Sequence, residues 1–203
     1  MRDLPNYLSL GRLLTTMPLV ILVLLDRPWA YLVAFGLFAL GSISDYFDGR
    51  LARRYKVVSN LGIFLDLTAD KVYVSALLVA LVQVSLVPAW VVIIIVSREF
   101  VVTGMRSLAA SEGAVIPAGR WGKQKTAITL FGLGWVLLWR GLGGWASFPL
   151  GFAPGAGVPH TSADYLLLSA DVIVLLAVIW TIFSAIEYLV GAWPVLKSQA
   201  TRS

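Results

Sequence analysis

The sequence predicts an all-α, polytopic membrane protein with six transmembrane helices and a short N-terminal interfacial segment. Composition carries the first part of that expectation. Of 203 residues, 59% are hydrophobic and 13% charged, whereas a soluble domain carries about 25% charge. Several apolar runs approach the ~20 residues needed to cross a bilayer. The third observation is asymmetry: with six spans drawn, the basic residues collect on one side. No internal repeat or low-complexity tract divides the chain, so residues 1–203 read as one membrane domain.

Pro5 opens the short interfacial segment, and the first span follows from about Ser9 to Leu25, with Pro18 inside it. Asp26, Arg27 and Pro28 predict a tight outer turn, because Pro cannot continue a helix that has already begun. A second span runs from about Trp29 to Arg53, and residues 54–59 form a basic connector. The third is read from about Ser59 to Leu86. Its 28 residues would extend ~42 Å at 1.5 Å per residue, against a hydrocarbon core of ~30 Å. Roughly two turns should therefore project beyond the core.

Pro88 opens a fourth span that reaches about Ala110, and the loop "SEGAVIPAG" leads to a fifth from Arg120 to Arg140. Residues 141–163 are rich in Gly and Pro and read as an outer loop. A sixth span from about Asp164 to Leu189 precedes a short basic tail. Arg2, Arg12, the basic residues of 50–56 and 120–125, Lys197 and Arg202 all fall on one side, leaving Arg27 and Arg140 opposite. The positive-inside rule then makes both termini cytoplasmic. Trp29, Trp90, Trp139, Trp145 and Trp193 near span ends fit an interfacial aromatic belt.

Composition also excludes chemistry. With no cysteine, disulfides, zinc–thiolate sites and thiol catalysis are absent. The one histidine, His160, falls in the Gly/Pro-rich loop without a nucleophile nearby. A net charge of +5 beside apolar spans suits anionic headgroups and phosphates better than nucleic acid.

Two constellations interrupt the apolar spans. In the first, Asp45 and Asp48 stand at i, i+3, and Asp66 and Asp70 at i, i+4. On two helices each pair shares a face, so four carboxylates can converge. Gly62 lies one turn before Asp66 and removes a side chain where something bulky must approach. The bland alternative pairs these acids with Arg50, Arg53 and Lys71 on a solvated surface. Apolar runs on both sides argue against it, since ionisable groups entering membrane-like segments are costly. All-oxygen sites suit Mg²⁺ or Mn²⁺, and two such ions bridged by carboxylates suit phosphoryl chemistry.

The second constellation lies between residues 98 and 126. Arg98, Glu99 and Arg106 sit within the fourth span, and Arg120, Lys123 and Lys125 begin the fifth. Glu99 can fully partner only one arginine, and an anion such as phosphate would satisfy the remainder. For Arg120 a role as a topology determinant weighs equally.

The spacing D-x2-D-G-x2-A-R-x8-G-x3-D-x3-D over residues 45–70 resembles the signature of the CDP-alcohol phosphatidyltransferases at every fixed position. Within that family, "LPNYLSLGR", "SREFVVTGMR" and "GAVIPAGRWGKQKT" look like the bacterial phosphatidylglycerophosphate synthases over residues 4–126. Ser9 replaces an expected Thr and Met105 a more usual Leu. The resemblance implies transfer of a phosphatidyl group from CDP-diacylglycerol to sn-glycerol 3-phosphate, with release of CMP. The same chemistry with another acceptor, such as inositol phosphate, is the alternative.

In that reading, Asp45, Asp48, Asp66 and Asp70 hold two divalent cations, Mg²⁺ or Mn²⁺, and Asp70 is also the general base. Asn6, Gly49, Ala52, Arg53 and Gly62 receive the CDP-lipid, while Arg98, Arg106, Lys123 and Lys125 hold the acceptor phosphate. A covalent phosphoryl-aspartate is the competing mechanism. The resemblance further implies a homodimer among bilayer lipids, multi-pass in the inner (plasma) membrane, with its active site on the cytoplasmic side.

Overall fold

The computed structural model describes residues 4–55, 60–111, 120–144 and 162–200, with side chains over 10–44, 62, 67–110, 121–122, 124–144, 162 and 169–191. The described residues form six helices: α1 (Leu4–Leu24), α2 (Pro28–Tyr55), α3 (Asn60–Gln83), α4 (Ala89–Ser111), α5 (Arg120–Gly141) and α6 (Ser162–Ala200). Neighbours pack in a closed ring, in the order α3, α1, α2, α5, α6, α4 and back to α3.

Three boundaries differ from the sequence expectation, each for a local reason. α1 runs unbroken from Leu4, so the expected interfacial segment is its first turns, where Pro5 is tolerated because its missing N–H would have no helical acceptor. α3 stops at Gln83, short of Leu86. Ser85 takes φ +58°, and the Leu86 N–H donates back to Leu81 O at 2.9 Å, closing the helix end. The 24 residues of α3 extend ~36 Å, so its surplus over the hydrocarbon core is about one turn rather than two. At the other extreme, α6 continues through the expected basic tail to Ala200. His160 and most of the outer loop lie outside the described residues.

The α1–α2 turn is as tight as expected, with Asp26 at φ +46°, a conformation Asp adopts more readily than most residues. α5 ends on Gly143 at φ +96°, where Gly144 N–H donates to Trp139 O at 3.0 Å. Glycine has no Cβ to oppose that geometry.

The apolar core fills one half of the ring. Leu19 and Val23 of α1, Tyr31, Ala34 and Phe38 of α2, and Leu77 and Leu81 of α3 meet there. Val91 and Ile95 of α4, Leu133 and Leu137 of α5, and Val174 of α6 complete it. All lie toward the α1–α2 turn. Large apolar side chains also face outward, among them Leu14, Met17, Ile93, Phe100 and Val190. Among the described residues, Ser169–Gly191 is the one helical stretch long and apolar enough to cross a membrane. Leu10–Leu24 and Pro28–Ser44 are shorter apolar stretches.

Candidate active site

The α2–α3 contact sets the level of the acids. Tyr73 of α3 stacks on Phe38 of α2, ring centroids 5.8 Å apart, and its hydroxyl donates to Leu37 O at 3.1 Å. Gly41 makes the approach possible, because a Cβ there would lie 2.7 Å from the Tyr73 oxygen. Gly41 lies 14 residues before the end of α2, and Tyr73 lies 13 residues after the start of α3. Measured from this contact, the two helices extend over matching lengths.

Asp45 is one turn beyond Gly41 on α2, and Asp70 is one turn before Tyr73 on α3. Asp48 and Asp66 occupy the next turn on each helix. Counted in helix turns from this contact, the four acidic positions fall at two adjacent levels. Three of these positions, Asp45, Asp48 and Asp66, have side chains outside the described residues, as do Asn6, Gly49, Ala52, Arg53 and Lys123. Gly62 is half-buried in the first turn of α3.

Asp70 opens onto a small cleft between α3, α4 and α5. Its polar lining includes Lys71, Ser75, Glu99, Lys125, Thr126 and Thr129, over an apolar floor of Leu78, Ile95 and Leu130. Lys125 is buried, and its ammonium donates to Glu99 Oε1. The same oxygen accepts from Arg98 Nη1 at 2.9 Å. Asp70 and Arg98 are the other charges acting on Lys125. A buried ammonium survives only with such partners, since desolvation favours its neutral form.

Arg98, expected to face an anion, instead spends Nη2 on Ser184 Oγ of α6. Arg106 lies two turns further along α4, exposed, beside the Tyr188 hydroxyl of α6. Tyr188 packs there on Val102 and Met105. Of the expected cations, then, Arg98 and Lys125 meet through Glu99, and Arg106 stands apart from them along the helix.

Three residues take places that the sequence reading did not assign. Lys71, read above only as an ion-pair partner, donates to Thr103 Oγ1 of α4 at 2.6 Å and lines the cleft. Its adjacency to Asp70 was the available signal. Arg12, counted among the topology charges, is instead a buried helix residue of α1 near the Tyr73 hydroxyl. Ser184 sits in an apolar span, where a single hydroxyl gives no periodic pattern to read.

A bundle of six helices with paired acidic positions and a cleft lined by Asp70, Glu99, Lys71 and Lys125 is compatible with transfer between phosphate esters. The family model for CDP-alcohol phosphatidyltransferase matches residues 2–153. The CDP-diacylglycerol–glycerol-3-phosphate 3-phosphatidyltransferase of Bacillus subtilis (strain 168) is 35% identical over 98% of this chain and 99% of its own length. The enzymes of the same name from Pseudomonas fluorescens and Rickettsia bellii (strain RML369-C) are 31% and 30% identical. They match over 98% and 92% of this chain, and over 95% and 93% of their own lengths. The chain belongs to the CDP-alcohol phosphatidyltransferase family.

Proposed function

We propose that this protein transfers the phosphatidyl group of CDP-diacylglycerol to sn-glycerol 3-phosphate, giving phosphatidylglycerophosphate and CMP in phospholipid biosynthesis. The observation that carries this reading is the meeting of Asp70 and Lys125 in one cleft, on a chain that aligns end to end with enzymes of that name.

The chemical difficulty is attack by a weakly acidic hydroxyl on phosphorus surrounded by negative oxygens. The acceptor oxygen forms a bond to the phosphatidyl phosphorus, the bridging P–O bond to CMP breaks, and Asp70 takes the hydroxyl proton. A carboxylate of ordinary basicity does this only when nearby positive charge makes the proton easier to remove. Asp45, Asp48, Asp66 and Asp70 would hold a pair of Mg²⁺ or Mn²⁺ ions, and their places on two adjacent levels of helix turns support that role. When bound, such ions supply charge neutralisation at the pyrophosphate and at departing CMP. Lys125 and Arg106, with Lys123, hold the acceptor phosphate, and Arg98 joins them through Glu99. Asn6, Gly49, Ala52, Arg53 and Gly62 receive the cytidine and pyrophosphate end of the donor.

The six helices cross the inner membrane with both termini cytoplasmic, and the outward apolar side chains support contact with lipid. The donor's acyl chains then stay in the bilayer, beside a homodimer of this chain. Release of CMP from CDP-diacylglycerol, Mg²⁺ and labelled glycerol 3-phosphate tests the activity. Inositol phosphate and serine serve as competing acceptors, and preferential labelling of either would overturn the acceptor assignment. Orientation is tested with single cysteines in the cysteine-free chain and an impermeant thiol reagent on intact cells. Labelling at position 155 but not at 56 is expected, and the reverse would invert the topology.

A further inference from the structure

Lys125, one of the cations that face the cleft, is the end of a relay that begins on α6. Ser184 Oγ of α6 accepts from Arg98 Nη2 of α4, and Arg98 Nη1 donates to Glu99 Oε1 at 2.9 Å. The same Glu99 oxygen accepts from Lys125 Nζ of α5. Lys125 and Glu99 line the cleft, whereas Ser184 and Arg98 stand behind it. Ser184 is 2% exposed, so no water replaces its oxygen if the hydroxyl is removed. Gly122 of α5 closes the pair off, since a Cβ there would lie 3.7 Å from Ser184 Oγ and 3.8 Å from Arg98 Nη2.

We infer that Ser184 is a positioning residue for the acceptor subsite, acting through Arg98 and Glu99 on Lys125. The physical reason is that one carboxylate oxygen is shared by two cations. Its geometry toward Lys125 depends on where Arg98 is held, and Ser184 fixes the second arm of that guanidinium. Without the hydroxyl, a buried donor loses its partner and the guanidinium turns to find another. Glu99 follows, and Lys125 no longer meets the phosphate at the same point. The described relay runs through α4, α5 and α6, so its effect is expected on the acceptor more than on the donor. Ser184 also lies beyond residue 153, where the family match ends. This inference rests on the acceptor reading given above.

The test compares Ser184→Thr with Ser184→Val in the full-length protein in detergent. The two replacements have nearly the same outline and differ in the hydroxyl, so the steric cost of the added methyl group is common to both. Ser184→Val is expected to raise KM for glycerol 3-phosphate about fivefold or more relative to Ser184→Thr. KM for CDP-diacylglycerol should stay matched between them, while Ser184→Val melts lower than Ser184→Thr because the buried guanidinium has lost an acceptor. In an Arg98→Lys background the Val/Thr difference should vanish, because the contact is already lost. Equal KM values in the two variants, or a parallel rise for both substrates, would overturn the positioning role while leaving the activity standing. Absence of CMP release from the unmodified protein with glycerol 3-phosphate would instead sink the substrate reading, and this inference with it.

Discussion

Among the described residues, α5 carries two buried cations, Lys125 and Arg140, 15 residues or ~22 Å apart, and their surroundings are built differently. Arg140 is held from three sides. Nη1 donates to Gly144 O at 3.0 Å, Nη2 to Asp26 Oδ1 at 3.2 Å, and its guanidinium carbon lies 5.8 Å from the Tyr31 ring centre. Tyr31 donates to the same Asp26 oxygen at 2.7 Å. These contacts tie the end of α5 to the α1–α2 turn. Lys125, by contrast, has its carboxylate partner on one wall of a cleft whose other wall carries Asp70 and Lys71. An arginine tied to its own chain from three sides is a latch. A cation that borders a space between helices can answer to a ligand.

That contrast breaks first at the carboxylates. Asp70→Asn should lower CMP release by at least ~10²-fold if Asp70 is the base, with the melting temperature near that of the parent. Substantial turnover in this variant would exclude the base role. Arg106→Lys comes next. It keeps the charge but replaces a planar five-donor fork with a point charge. KM for glycerol 3-phosphate should rise about tenfold, the change that ~1.4 kcal/mol produces, with little change for CDP-diacylglycerol. Equal impairment of both substrates would return Arg106 to a structural role.

A smaller effect is expected from Gly41→Ala, whose Cβ would press on the Tyr73 ring and separate α2 from α3. The Mg²⁺ concentration for half-maximal CMP release should rise several-fold, and an unchanged requirement would show that this contact does not set the acid level. The smallest effect on turnover belongs to the latch. Arg140→Met should leave kcat within about twofold while lowering stability by about 1–3 kcal/mol, read as a fall in melting temperature. Loss of activity at unchanged stability would mean that this end, too, takes part in the reaction.

The helices were legible because apolar runs and Pro or Gly boundaries coincide, and α2, α4 and α5 begin and end within about two residues of expectation. Ser85 was not legible as a stop, since a non-glycine residue in the left-handed region leaves no mark in the sequence. α6 outruns its hydropathy signal because helical hydrogen bonding does not end where apolar character does. The acid spacing was fully readable, being a fixed pattern on two helix faces. The cation cluster was readable only as a set. Periodicity placed Arg98 and Glu99 in α4, but pairing was decided by which neighbour each faces, and the hydroxyl that receives Arg98 comes 86 residues later.

That separation has a consequence for how the protein is made. Translation delivers Asp70 first, then Arg98 and Lys125, and Ser184 only 114 residues after Asp70. At about 5–20 residues per second, roughly 6 to 23 s pass between the last acid and the hydroxyl that steadies Arg98. During that interval the nascent chain carries its acids and cations but not the contact that joins α4 to α6 at Ser184. The relay closes with the last helix, so its order of synthesis is also the order in which the acceptor subsite becomes complete.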